Sequence, residues 1–257
     1  MHRFYLPPED CAGDHLELKG AEAHHARHVL RIRTGQAVTV LDGAGRELNC
    51  TVTQVSGESV GIQVERQQLH PEPIVRVTLL QAIPKGKTMD VVVQKATELG
   101  AYRIVPVVTE RVVSEFNEHE GRRKVEKWRS VATESIKQCG SPWLPMIELP
   151  LTLESFLRRS ESFDLPLIAS LQGPSRVARE YFQEFEARHR RLPSSMAVWV
   201  GPEGDFTSAE TAAIIAAGYL PITLGPLVLR ADTAAIYCLS VLSYEVLTRT
   251  LNPPPSN

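Results

Sequence analysis

No stretch of this chain approaches the ~20 consecutive apolar residues that a membrane-spanning helix requires. Its first residues, MHRFYLPPED, lack the basic start and apolar run of a secretory signal, so a cytoplasmic protein is expected. Four cysteines (Cys11, Cys50, Cys139 and Cys238) lie far apart with no C-x-x-C, which excludes the usual zinc and thioredoxin motifs and leaves buried free thiols as the expected state. There is no excess of one charge: 28 Lys and Arg face 30 Asp and Glu, a net −2, unlike a generic nucleic-acid binder. No G-x-G-x-x-G follows an apolar run, which argues against a Rossmann dinucleotide site. Lys85-Gly86-Lys87-Thr88 ends like a P-loop, but Gln81 stands where the phosphate cradle needs glycine. His24 and His28 share a helical i, i+4 spacing without an evident third ligand, so no metal is expected. No internal repeat is visible.

What is present divides into two parts. Across 257 residues, 43% hydrophobic and 23% charged, there is ample material for a buried core. Residues 36–67, QAVTVLDGAGRELNCTVTQVSGESVGIQVERQ, alternate apolar and polar residues between glycines, the pattern of an antiparallel sheet or small barrel. A helical turn or two is expected in the preceding GAEAHHARHVLRIRTG, and His70–Val75 reads as a linker. From residue 76 apolar runs alternate with helical patterns. VTLLQAI, RIVPVV, LPLIASL, MAVWVG and PITLG are strands, and the segments between and after them are helices. In one helix Val125, Trp128, Ala132, Ile136 and Cys139 share a face, and Thr88 is placed to cap another. The expected class is α/β, a parallel sheet with helices on both faces, over residues 73–257, after a small β domain over 1–72.

Two loops stand out. Residues 198–210, VWVGPEGDFTSAE, end a strand in Gly-Pro-Glu-Gly, and Thr207-x-x-Glu210 forms a capping box for the next helix. A phosphate site, a nucleotide-like cofactor site and a plain turn all fit Gly201 to Gly204. Residues 223–235, TLGPLVLRADTAA, repeat the build and set Arg230 just before a helix, where the helix dipole favours anions. Two such loops at the carboxyl ends of parallel strands would face one crevice, the place where open α/β sheets bind ligands. Basic residues also cluster at Arg27, Arg31 and Arg33, and at Arg122, Arg123, Lys124, Lys127 and Arg129; a solvated face is the plain reading of either cluster alone.

KATELG, QCG, VGPEGDFTSAE and LGPLVLRADTAA, in that order, resemble the methyltransferases that modify N3 of uracil-1498 in 16S ribosomal RNA, members of the SPOUT superfamily. The resemblance spans nearly the whole chain and includes HHARHVLRIRTGQAVTVLDG, which is similar to the PUA-like RNA-binding barrel of that family. It implies a trefoil-knotted methyltransferase domain, a homodimer formed through that domain, and S-adenosylmethionine (SAM) held by Leu171, Val200, Gly201, Gly204, Leu224, Gly225, Val228 and Leu229. It gives Arg230 and Glu203 catalytic roles, and directs Arg27, His28, Arg31, Arg33 and Arg111 toward the rRNA of the small ribosomal subunit. A different RNA target on the same fold, or a non-catalytic RNA-binding relative, are the alternatives. Four positions depart from the family pattern: Asp205 replaces a glycine, Asp232 a glutamate, and Leu227 and Ser141 each an arginine.

Overall fold

In the computed structural model, residues 2–111, 118–171 and 174–251 are described. They form two compact units, one of residues 1–72 with 132–144, the other of 73–131 with 145–257.

The first unit contains β1 (His2–Tyr5), β2 (His15–Leu18), α1 (Gly20–His24) with a wider turn at His25–Val29, β3 (Ala37–Leu41), β4 (Arg46–Val55) and β5 (Val60–Leu69). The sheet runs β1-β3-β4-β5-β2, parallel only between β1 and β3. It is a curled half-barrel whose edges are β1 and β2. Register shifts in the β4–β5 pair, at Asn49/Cys50 and Val52/Gln54, add the bulges that let a ten-residue hairpin curl. Inward-facing Val38, Val40, Leu48, Cys50, Val52, Val60 and Ile62 alternate along their strands and make the core with Phe4, Leu16 and Leu18. Trp143 joins this unit through its indole N–H, which donates to the Pro71 carbonyl at 3.1 Å.

The second unit contains β6 (Arg76–Ala82), α2 (Thr88–Glu98), β7 (Arg103–Val108), the first turns of α3 (Glu118–Cys139), β8 (Met146–Ile147), β9 (Leu151–Thr152), α4 (Leu153–Leu157), β10 (Leu165–Ala169), α5 (Ala178–His189), β11 (Ser195–Val200), α6 (Ser208–Ala216), β12 (Leu220–Ile222) and α7 (Ala231–Leu251). Its seven strands are all parallel, in the order β12-β10-β11-β6-β7-β8 with β9 also on β7. Both faces are covered, which is why the central strands read as unbroken apolar runs. On one face Leu80, Val105, Ile168, Ala197 and Trp199 pack against Phe156 of α4, Ile214 of α6 and Phe206. On the other lie α2, α5 and α7.

β12 is bonded on both edges by residues that precede it in the chain. Ser170 N–H, just past β10, donates to the Ile222 carbonyl at 3.1 Å, while Arg176 pairs with Ile222 from the opposite edge. Residues before and after 172–173 thus bond to opposite edges of β12, the arrangement that the threading implied by the family resemblance calls for.

Asp164, at the start of β10, holds the chain entering β11. Its carboxylate accepts from both terminal nitrogens of Arg191 at 2.7 and 2.9 Å, and from the N–H and hydroxyl of Ser194 at 2.7 Å each. Arg191 foremost, then the Ser194 donors, hold this carboxyl well below the usual carboxylate range despite partial desolvation. A folded-state pKa below the unfolded value gives stability that is present above about pH 4 and lost as pH falls. Asp164→Asn is expected to cost about 1–2 kcal/mol at pH 7, with the gap to wild type closing below about pH 4. Urea melts across pH check it; a gap that stays constant with pH would refute the electrostatic origin.

Candidate functional site

The loops after β10, β11 and β12, three adjacent parallel strands, converge on one crevice of about 500 Å³, open to solvent. Of the residues expected to hold a cofactor, Leu171, Val200, Gly201, Leu224, Val228 and Leu229 line it, and so does Glu203. Gly204, Gly225 and Arg230 do not. A Cβ on Gly204 would approach the Arg111 side chain at 3.3 Å, and Gly225, at φ +102°, faces open space. Arg230 is exposed one step outside the wall made by its neighbours Leu229 and Ala231. Its carbonyl accepts from Ala234 N–H at 2.8 Å, so the chain enters α7 there.

The loop after β11 is tight for a steric reason. A Cβ on Gly201 would stand 2.9 Å from Asp205 Oδ1, 3.2 Å from Asp205 Cα and 3.3 Å from Phe206 N. Asp205 N–H donates to the Pro202 carbonyl at 2.9 Å, and Asp205 itself takes a left-handed φ of 60°. Asp is one of the few L-residues that tolerate this conformation, which accounts for its standing where the resembled family has glycine. The turn then delivers Phe206 to the buried Trp199, edge to face at 6.1 Å between centroids. Thr207 caps α6 as expected. Its hydroxyl accepts from Glu210 N–H at 3.2 Å, and Glu210 returns the bond to Thr207 N–H at 2.8 Å.

Glu203 reaches across to the loop between β6 and α2, where its Oε1 accepts the Lys85 N–H at 3.0 Å. Arg111 donates to the Gly204 and Asp205 carbonyls and so belongs to this loop. Ser170, Asp205, Leu227 and Ala231 also line the crevice and are not among the residues expected to hold the cofactor. Asp205 and Leu227 carried a signal, as departures from the family's glycine and arginine; Ser170 and Ala231 carried none. Leu171, Leu227 and Val228 are 57%, 71% and 76% exposed, so the crevice has an apolar lip open to water. That is the surface a flat, weakly polar ring would cover.

The remaining expected RNA contacts lie in the first unit, on the irregular turn after α1. Arg27 donates to the Gly57 carbonyl in the β4–β5 turn, and His28 lies 4.7 Å from the His24 ring. Arg31, with a left-handed φ of 52°, and Arg33 are exposed. Ser141 spends its hydroxyl locally, donating to the Trp143 carbonyl at 2.9 Å. Among the described residues no group of three or more His, Cys, Asp or Glu could hold a metal, and no helix is long and apolar enough to cross a membrane.

A family model for the RNA methyltransferase domain matches residues 70–243, and one for the RNA methyltransferase PUA domain matches 18–65. The chain is 30% identical to the ribosomal RNA small subunit methyltransferase E of Synechocystis sp. over 94% of its own length and 77% of the relative's. It is 29% identical to the protein of the same name from Bacillus subtilis, over 90% of each chain. Among solved structures, a Legionella pneumophila protein described as a methyltransferase with bound SAM is 32% identical and superposes with a TM-score of 0.84 over 94% of this chain and 96% of its own. The Neisseria gonorrhoeae ribosomal RNA small subunit methyltransferase E bound to SAM is 25% identical, with a TM-score of 0.81 over 98% of both chains. The chain belongs to the RNA methyltransferase family, the family that includes the ribosomal RNA small subunit methyltransferases E.

Proposed function

We propose that this RNA methyltransferase uses SAM to methylate N3 of a uridine in 16S ribosomal RNA, the position called uracil-1498. The observation that carries the reading is the convergence of three strand-end loops on one crevice with close-packed backbone and an apolar lip. The residues present fit SAM: Gly201, Leu224 and Leu229 line the crevice, with no side chain on Gly201 to stand between its backbone and a ligand, and the exposed Leu171, Leu227 and Val228 would cover apolar parts. When bound, SAM supplies an electrophilic methyl group, so the chain's own task is orientation and charge.

Uridine N3 carries a proton that it must give up, to the carboxylate of Glu203 or Asp232, to act as a nucleophile, and the negative charge then spreads to the flanking carbonyls. Arg230, permanently cationic and planar, offers two parallel donors to such an oxygen. Glu203 is anchored on Lys85 N–H and fixes one wall of the crevice. Residues 1–72 serve as the RNA-binding part, with Arg27, His28, Arg31 and Arg33 toward phosphate, and 73–257 as the methyltransferase domain. The half-exposed Tyr237, Tyr244 and Leu247 on α7 provide apolar area for a homodimer through the second unit.

Calorimetry should show SAM binding, and mass spectrometry of rRNA from a deletion strain should show one uridine losing a methyl group at N3. Absence of SAM binding at millimolar concentration overturns the crevice assignment. A lost methyl group on a ribose or another base overturns the target. A monomer by light scattering at micromolar concentration overturns the dimer.

A further inference from the structure

A second, larger cavity of the methyltransferase unit lies beside the crevice and shares Pro202 and Glu203 with it. It occupies about 1470 Å³, open to solvent, between the loop that enters α2 and the outer face of α3. Its floor is apolar, made by Ile83, Met89 and Trp128. Around that floor stand five cationic side chains, Lys85, Arg111, Arg123, Lys124 and Lys127, against only two carboxylates, Asp90 and Glu203. The chain as a whole is net negative, so this concentration of positive charge is local.

The charges are not all spent on internal partners. Lys127 pairs with Asp90, Arg111 donates to the 204–205 carbonyls, and the Glu203 carboxylate receives the Lys85 backbone rather than its side chain. The side chains of Lys85 and Arg123 are exposed and have no carboxylate partner among the described residues. Burial, with like charge from Arg123 and Lys127 and despite Glu120, pulls the Lys124 ammonium below its usual range. The eleven-residue α2 also begins here, with Gly86 and Met89 in the wall, so the positive end of its dipole adds to the field. A cleft lined by one sign of charge over low-dielectric walls concentrates counter-ions of the other sign.

We infer that this cavity is a phosphodiester subsite, in which Lys85, Arg123 and Lys124 grip the backbone of the RNA strand flanking the nucleotide presented to the crevice. It deepens the methyltransferase reading and rests on it, because the shared Glu203 wall sets the gripped strand next to the reacting position. The basic stretch of α3 then has a task, and RNA is held by the second unit as well as the first. Arg122, paired with Glu118, and Arg129 lie on the same helix outside the cavity and take no part.

The test is equilibrium binding of the full-length protein to an unmodified 16S rRNA transcript, titrated with salt. Each phosphate contact contributes about 0.7–0.9 to the slope of log K against log salt. Lys85→Ala/Arg123→Ala should lower that slope by about 1.4–1.8 and weaken binding about ten-fold near physiological salt. Arg122→Ala/Arg129→Ala removes the same number of charges from the protein and should leave the slope at the wild-type value. Equal slopes for the two variants overturn the proposal. So does a fall in kcat with an unchanged slope, which would assign the cavity to the target base. Arg123→Ala alone, an exposed change, gives the same reading, a slope lower by about 0.7–0.9, should the double variant misfold. SAM calorimetry on the same proteins keeps the two claims apart: failure of the wild type to bind SAM removes the crevice reading, while the salt slope still decides the cavity.

Discussion

Arg230→Ala is expected to slow single-turnover methylation of small ribosomal subunits about 10²–10³-fold, the usual cost of removing one aligned electrostatic donor. SAM affinity should be unchanged, because Arg230 stands outside the crevice wall while its neighbours Leu229 and Ala231 form it. The simplest competing role for this arginine is an ion pair with Glu203 or Asp232. Neither carboxylate takes it: Glu203 Oε1 receives Lys85 N–H, and Asp232 Oδ1 receives Thr233 N–H at 2.8 Å. Arg230 is exposed and has no carboxylate partner among the described residues, so its charge is available to a substrate. Arg230→Lys should also be slow, since an ammonium keeps the charge and loses the planar fork. A variant that methylates at near the wild-type rate removes Arg230 from catalysis. One that loses SAM binding makes it structural.

Gly201→Val should weaken SAM binding about ten- to a hundred-fold, or ~1.4–2.7 kcal/mol, and lower Tm by a few degrees. The added Cβ meets two groups that cannot swing aside, Asp205 Cα and Phe206 N. Phe206 is fully buried and Asp205 is tied to the Pro202 carbonyl, so the loop must move as a whole, and with it the crevice wall. Gly204→Ala provides the contrast, because its Cβ would meet only the flexible Arg111 side chain. Calorimetry on both variants checks this. Equal SAM affinities for the two would show that the Gly201 packing does not shape the site.

The legible parts of the sequence were those where local chemistry and tertiary role agree. The capping box at Thr207 and Glu210 announced α6, and Gly-Pro after an apolar run marked the two loops of the crevice. Where the signal depended on neighbours far along the chain, it failed. The two-residue strands β8 and β9 are too short to show a period, and α4 is one turn, capped by Thr152 accepting Ser155 N–H at 3.1 Å. Thr88 was expected to cap α2; the capping position is Lys87, without a side-chain bond, and Thr88 is already helical. The strand expected over Pro221–Gly225 runs Leu220–Ile222 instead, because its partners β10 and Arg176 end there. Leu171 is legible by the same sign, because Gly173-Pro174 follow it in the sequence just as Gly-Pro stand at 201–202 and 225–226. Lys85 and Arg123, close around one cavity, lie 38 positions apart in a sequence that shows each only as a surface charge.

Cys139 was read with the buried face of α3, alongside Val125, Trp128, Ala132 and Ile136, which are buried. It is exposed instead, because it is the last residue of the helix and Gly140, at φ +83°, turns the chain away. The other three thiols are inside: burial pushes Cys11 up to about 11, and Cys50 and Cys238 each up to about 12, far from the thiolate form at neutral pH. Maleimide or iodoacetamide chemistry on the native protein is thus directed to a single atom, the sulfur of Cys139. A fluorophore or spin label can be installed there without engineering, and storage without reductant should yield a Cys139-linked disulfide between two chains rather than any bond within one.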